Sequence, residues 1–149
     1  DLLIKNNLTV STAESCTSGL LASRLTDVPG SSQYFKGGSV CYSNELKIND
    51  IGIDKDLIER YGAVSEEVAK SLAKNIAQKN NTDLGIGITG IAGPDGGTEK
   101  KPVGLVFVGI FYKNNLYIKE YNLTPDRITN RELTVTLCLN EIRKILRNS

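Results

Sequence analysis

The run Thr12-Ala13-Glu14-Ser15-Cys16-Thr17-Ser18-Gly19 carries small hydroxyl and thiol side chains from the end of a short strand toward a helix. A serine or cysteine at such a junction can attack a carbonyl carbon, and unpaired N–H groups of the first helical turn can stabilise the oxyanion that forms. The chain contains no histidine, which excludes Ser-His-Asp and Cys-His arrangements. If Ser15 is the nucleophile, a lysine is the natural base. Cys16 competes for the same role, because a thiol at a helix N-terminus can have a lowered pKa. A third reading makes Ser15 an ordinary helix cap.

The elements that must position these groups follow from the hydrophobic pattern. Leu2 to Asn7 reads as the tail of a helix and Leu8 to Ala13 as a strand, so Ser15 falls at the strand's end. Leu20, Leu21 and Leu25 recur at helical spacing, Pro29-Gly30 stops the run, and Ser15-Cys16-Thr17 are expected to start that helix. Gly37 to Tyr42 reads as a second strand, and the short helical stretch from Asn44 to Asn49 carries Lys47. To act as a base, Lys47 must lose proton affinity through desolvation or neighbouring positive charge, and Tyr42, Arg127 and Arg131 are candidate neighbours.

Farther on, Ser65-Glu66-Glu67 opens an amphipathic helix whose buried stripe is Val68, Leu72, Ile76 and Ala77. Asp83 to Thr89 reads as a buried strand and Gly90 to Pro102 as a glycine-rich loop whose amides could approach an anion. Val103 to Tyr112 and Leu116 to Leu123 form a hairpin across Lys113-Asn114-Asn115, and a helix from about Asn130 to Leu146 closes the chain. Gly85-Ile86-Gly87-Ile88-Thr89-Gly90 matches a dinucleotide fingerprint but lies inside a strand and precedes a loop, so that reading fails. Ser71-Leu72-Ala73-Lys74 matches Ser-x-x-Lys by chance, without the companion motifs of that class. Interleaved strands and helices with one hairpin predict a single α/β domain over 1–149, a three-layer α/β/α sandwich with a mixed sheet.

With 18 basic and 17 acidic residues scattered through 149, the chain offers no one-signed surface for nucleic acid or membrane, and small-molecule chemistry is favoured. Cys16, Cys41 and Cys138 are too widely spaced for a zinc site and suit free thiols in a reducing cytoplasm. The first residue, Asp1, is not Met and no leader follows, which suggests trimming or processing.

Ala13-Glu14-Ser15-Cys16-Thr17, Tyr42-Ser43-Asn44-Glu45-Leu46-Lys47, Gly62-Ala63-Val64-Ser65, Thr89-Gly90-Ile91-Ala92-Gly93-Pro94-Asp95-Gly96-Gly97 and Lys101-Pro102-Val103-Gly104 occur together in that order. In this the chain resembles the CinA C-terminal domain family, which includes nicotinamide-nucleotide amidases, from about Thr9 to the final helix. The resemblance implies hydrolysis of the carboxamide of nicotinamide mononucleotide to nicotinate mononucleotide and ammonia, without metal or organic cofactor. It implies Ser15 as nucleophile, Lys47 as general base and Tyr42 as the partner that orients them. Cys16, Thr17, Ser18, Gly19, Asn44, Gly90, Gly93, Gly96, Gly97, Arg127 and Arg131 are the expected substrate-binding residues, with either arginine able to take the phosphate. Ser18 stands where the family usually has glycine, and the family often carries a longer N-terminal helix. A homodimer is the expected assembly. A non-catalytic nucleotide-binding module is the alternative.

Overall fold

In the computed structural model, which describes residues 1–149, five strands form one sheet: β1 (Val10–Glu14), β2 (Phe35–Val40), β3 (Leu84–Gly90), β4 (Leu105–Tyr112) and β5 (Asn115–Asn122). Their order is β2-β1-β3-β4-β5, with β1 parallel to both neighbours and β4 and β5 antiparallel. The helices are α1 (Leu2–Lys5), α2 (Leu20–Thr26), α3 (Asn44–Asn49), α4 (Lys55–Tyr61), α5 (Glu66–Asn80) and α6 (Arg127–Arg147). They cover both faces, giving the mixed-sheet α/β/α sandwich expected.

β1 is buried on both sides, so its residues split between two cores. Val10 joins the cluster with Leu21, Leu25, Val135 and Ile142 under α2 and α6, while Ala13 joins Leu72 and Ile76 beneath α5. The glycines of the rejected dinucleotide match serve this second layer. A Cβ on Gly85 would stand 2.0 Å from the Ala73 carbonyl oxygen and one on Gly87 2.5 Å from that of Ala69, so only glycine lets α5 lie so close to β3.

Several expected boundaries move. β1 begins at Val10 and includes Glu14, and β2 runs Phe35–Val40 in place of Gly37 to Tyr42, releasing Cys41 and Tyr42 to lead into α3. The hairpin strands begin at Leu105 and Asn115, and the turn contracts to Lys113 and Asn114 (φ 50° and 61°), the positive-φ pair of a tight two-residue hairpin. α6 starts at Arg127, three residues early, because Asp126 accepts from the Thr129 N–H at 2.9 Å and caps it. α4 escaped the sequence reading, since Asp54 and Gly62 bracket only seven helical residues, too few for periodicity to show.

The most consequential correction concerns Ser15-Cys16-Thr17, which do not start a helix. Residues 15–19 form a turn, and α2 begins at Leu20 behind Gly19 in the left-handed region (φ 92°). Beyond the carboxyl ends of β1 and β3 the chain departs to different neighbours, β1 leading to β2 and β3 to β4. Such a divergence opens a crevice, and ligands of open α/β sheets bind there.

Candidate functional site

Ser15 leaves β1 with its N–H still bonded to the Ile88 carbonyl of β3 at 3.0 Å, which fixes it at the crevice. The β2–α3 connection then brings Lys47 beneath it. Ser43 caps α3 by accepting from the Leu46 N–H at 3.1 Å, and one turn of helix places the Lys47 Nζ 3.0 Å from Ser15 Oγ. Nζ also donates to the Tyr42 carbonyl at 3.0 Å. Lys47 is only 2% exposed and forms no ion pair with a carboxylate. Desolvation therefore pulls its pKa below the ordinary lysine value, opposed weakly by the neighbouring Cys41 and Cys16. A neutral amine beside a serine hydroxyl can accept its proton.

Burial acts on the competing nucleophile in the opposite sense. The Cys16 thiol is pushed up to about 12, chiefly by desolvation, so it stays protonated near neutrality. The lowered thiol pKa expected at a helix N-terminus does not arise, because Cys16 precedes the helix by four residues and sits in the core cluster.

A cleft of about 170 Å³ opens over Ser15, walled by Cys16, Tyr42, Asn44, Lys47, Ala63, Val64, Thr89, Gly90, Ala92 and Arg127. No protein oxygen accepts from the N–H of Cys16 or Thr17, although both residues are buried. Unpaired buried N–H groups are rare, and of these two residues Cys16, next to Ser15, lines the cleft, where its N–H is available to an oxyanion. Three roomier clefts, one between the β4–β5 hairpin and the end of α6, one beside α1 and one by Thr82 and the Lys113-Asn114 turn, contain neither Ser15 nor Lys47.

The remaining expected residues divide into groups. Tyr42 accepts from Lys47 Nζ through its backbone carbonyl, while its ring is exposed and its hydroxyl accepts from Arg127 Nη2 at 2.9 Å. Arg127 also donates to the Gly93 carbonyl at 2.8 Å, so one guanidinium ties the α3 side of the cleft to the glycine loop. Arg131, one turn along α6, does not reach the cleft wall and instead donates to the Cys16 and Thr17 carbonyls at 3.1 and 3.3 Å. Gly90 lines the cleft, whereas Gly96 and Gly97 lie farther along the loop and off its wall. Ser18 and Gly19 shape the turn, Ser18 at φ 48°, a conformation that glycine adopts without strain. No cluster of three or more potential metal-ligating side chains forms in the fold.

Sequence reasoning gave Glu14 no role. Its carboxylate, 1% exposed, accepts from Thr17 Oγ1 at 2.6 Å, the Leu21 N–H at 2.8 Å and the Ala22 N–H at 3.0 Å. It caps α2 from the preceding strand. The signal was present as an acid ahead of an apolar helical run, but the seven-residue separation from Leu21 hid it. Thr89 was missed too: its hydroxyl donates to the Ala63 carbonyl at 2.8 Å and fixes that side of the cleft.

The model of the CinA C-terminal domain matches residues 1–146. The chain belongs to the CinA C-terminal domain family. Similar curated proteins include a CinA-like protein of Dictyoglomus thermophilum, 49% identical over 99% of this chain and 36% of its own length. A putative competence-damage inducible protein of Clostridium novyi is 50% identical over 97% of the chain and 35% of its own. The chain thus spans about a third of these relatives. Among solved structures, the competence/damage inducible protein CihA of Agrobacterium tumefaciens is 36% identical with a TM-score of 0.93, covering 97% of this chain and 88% of that one. A CinA superfamily protein of Klebsiella pneumoniae 700603 is 26% identical with a TM-score of 0.96, covering 99% and 92%. No helix of this CinA domain is long and apolar enough to cross a membrane.

Proposed function

We propose that this CinA domain is a Ser-Lys amidohydrolase that converts nicotinamide mononucleotide to nicotinate mononucleotide and ammonia, a step of pyridine-nucleotide salvage. The observation that carries the reading is the buried, carboxylate-free Lys47 Nζ 3.0 Å from Ser15 Oγ at the floor of the cleft. Neutral Lys47 accepts the Ser15 proton as Oγ attacks the carboxamide carbon, and the negative charge develops on the amide oxygen beside the Cys16 N–H. When the C–N bond breaks, the lysine returns the proton to the departing nitrogen, which leaves as ammonia. Water then attacks the acyl ester with Lys47 again taking the proton, releasing the acid and restoring the Ser15 hydroxyl.

The cleft, at about 170 Å³, is smaller than the roughly 300–1,000 Å³ that encloses a drug-sized ligand, so it suits the reacting ring and leaves the ribose and phosphate outward. Arg127, exposed at the rim, is the cation available to a phosphate there and would exchange its Tyr42 or Gly93 contact for a charge-assisted one. The test is ammonia release from nicotinamide mononucleotide by the wild type and by Ser15→Ala, Lys47→Ala and Cys16→Ala. Turnover that survives only in Cys16→Ala, among the variants, supports the dyad. A folded wild type that binds the nucleotide without turnover would instead make the domain a binding module.

A further inference from the structure

The two arginines at the start of α6 lie four residues apart and hold different parts of the molecule. Arg127 reaches the cleft wall, whereas Arg131 spends Nε on the Cys16 carbonyl and Nη2 on the Thr17 carbonyl. In a planar trans peptide the C=O and the N–H point in opposite directions. The Cys16 carbonyl shares its peptide plane with the Thr17 N–H, so the guanidinium that holds this carbonyl aims that N–H away from α6. The preceding peptide is treated alike, since the Ser15 carbonyl accepts from the Ser18 N–H at 3.1 Å and thereby orients the Cys16 N–H. Across the same turn, Glu14 accepts from the Thr17 hydroxyl. Both free amides therefore belong to peptides clamped by their carbonyls.

We infer that Arg131 is a positioning residue, which fixes the turn that carries Ser15 and the cleft-lining Cys16 by holding the Cys16 and Thr17 carbonyls, and is not a ligand of the substrate's phosphate. The inference rests on the Ser15–Lys47 reading above. An arginine is suited to the place because its planar fork reaches two successive carbonyls at once, whereas a lysine offers one compact ammonium. A clamp of this kind acts on the transition state more than on ground-state binding, so its loss lowers kcat with little change in KM.

The discriminating experiment compares nicotinamide mononucleotide with nicotinamide riboside, which lacks the phosphate, in the wild type, Arg131→Ala, Arg131→Lys and Arg127→Ala. A positioning role predicts that Arg131→Ala lowers kcat by about 10- to 100-fold on both substrates with KM nearly constant, less than the loss of a whole oxyanion donor. Arg131→Lys should recover part of this, and millimolar guanidinium ion should partly restore Arg131→Ala, a rescue that a merely unfolded variant would not show. A rise in KM confined to the mononucleotide, with kcat retained, would make Arg131 a phosphate ligand and overturn the inference. Unchanged kcat and KM in Arg131→Ala would overturn it as well. A folded wild type that hydrolyses neither compound would remove the amidase reading itself, and the positioning role with it.

Discussion

Ser65 stands directly before α5 and Ser15 five residues before α2, and their hydroxyls have opposite fates. At α5 the Ser65 hydroxyl accepts from the Val68 N–H at 3.3 Å, the first turn is acidic, and the hydroxyl also donates to the Gly62 carbonyl. That hydroxyl is consumed by structure. At α2 the orphan amides of Leu21 and Ala22 are met by the Glu14 carboxylate, reaching across the turn from β1. Ser15 is thereby released from capping, and its Oγ is left to a buried amine. A serine hydroxyl left free between a strand and a helix needs another group to satisfy the helix, and here that group is the residue immediately before it.

The largest separation between the two serines should appear in activity. Ser15→Ala is expected to lower kcat by at least about a thousandfold while leaving the melting temperature near the wild-type value, because no backbone amide depends on its hydroxyl. Steady-state ammonia release and calorimetry on the same preparation check both halves. Glu14→Ala should lose stability, by roughly 3 kcal/mol, since it strands the buried Leu21 amide, the part-buried Ala22 amide and the Thr17 hydroxyl. Urea unfolding measures this, and an unchanged midpoint would mean that α2 is capped in some other way.

Lys47→Met gives the opposite stability result from Glu14→Ala. The folded-state pKa of Lys47 is lowered, so protonation penalises the native state fully below that pKa, and stability is regained as pH rises from it toward the unfolded value near 10.5. The variant lacks the penalty. It should be inactive yet as stable as the wild type or about 1 kcal/mol more stable at pH 6, with its advantage shrinking toward pH 10. Unfolding at both pH values checks the sign.

Ser65→Ala should cost about 1 kcal/mol of stability and change kcat less than tenfold. The smallest effect belongs to Ser18→Gly. Relief of the positive φ is offset by a more flexible unfolded chain and the loss of the hydroxyl's bond to the Ser15 carbonyl, for a net change under about 0.5 kcal/mol. Thermal melts of the two variants side by side resolve the order.

The α/β class, the strand before Ser15, the short helix carrying Lys47 and the Ser65 cap were legible because each has a local signature: alternation, helical spacing or a capping residue. The fault lay where local rules competed. Ser15-Cys16-Thr17 look like a helix start, but Glu14, a strand residue, performs the capping that such a start would need. The nearness of Ser15 to Lys47 was expected only through family resemblance, because the two are 32 positions apart with the β1–β2 pairing between them. The division between Arg127 and Arg131 was illegible. One helical turn separates them, and which carbonyl or cleft each meets depends on how α6 docks against α2 and β4.

The most direct test is labelling of the intact protein by an alkyl fluorophosphonate, followed by peptide mass spectrometry. A freed and activated hydroxyl predicts modification at Ser15 alone, rising with pH as Lys47 loses its proton and abolished in Lys47→Met, with Ser65 unmodified. Absence of label at Ser15 in the folded wild type, or labelling that persists in Lys47→Met, would contradict it.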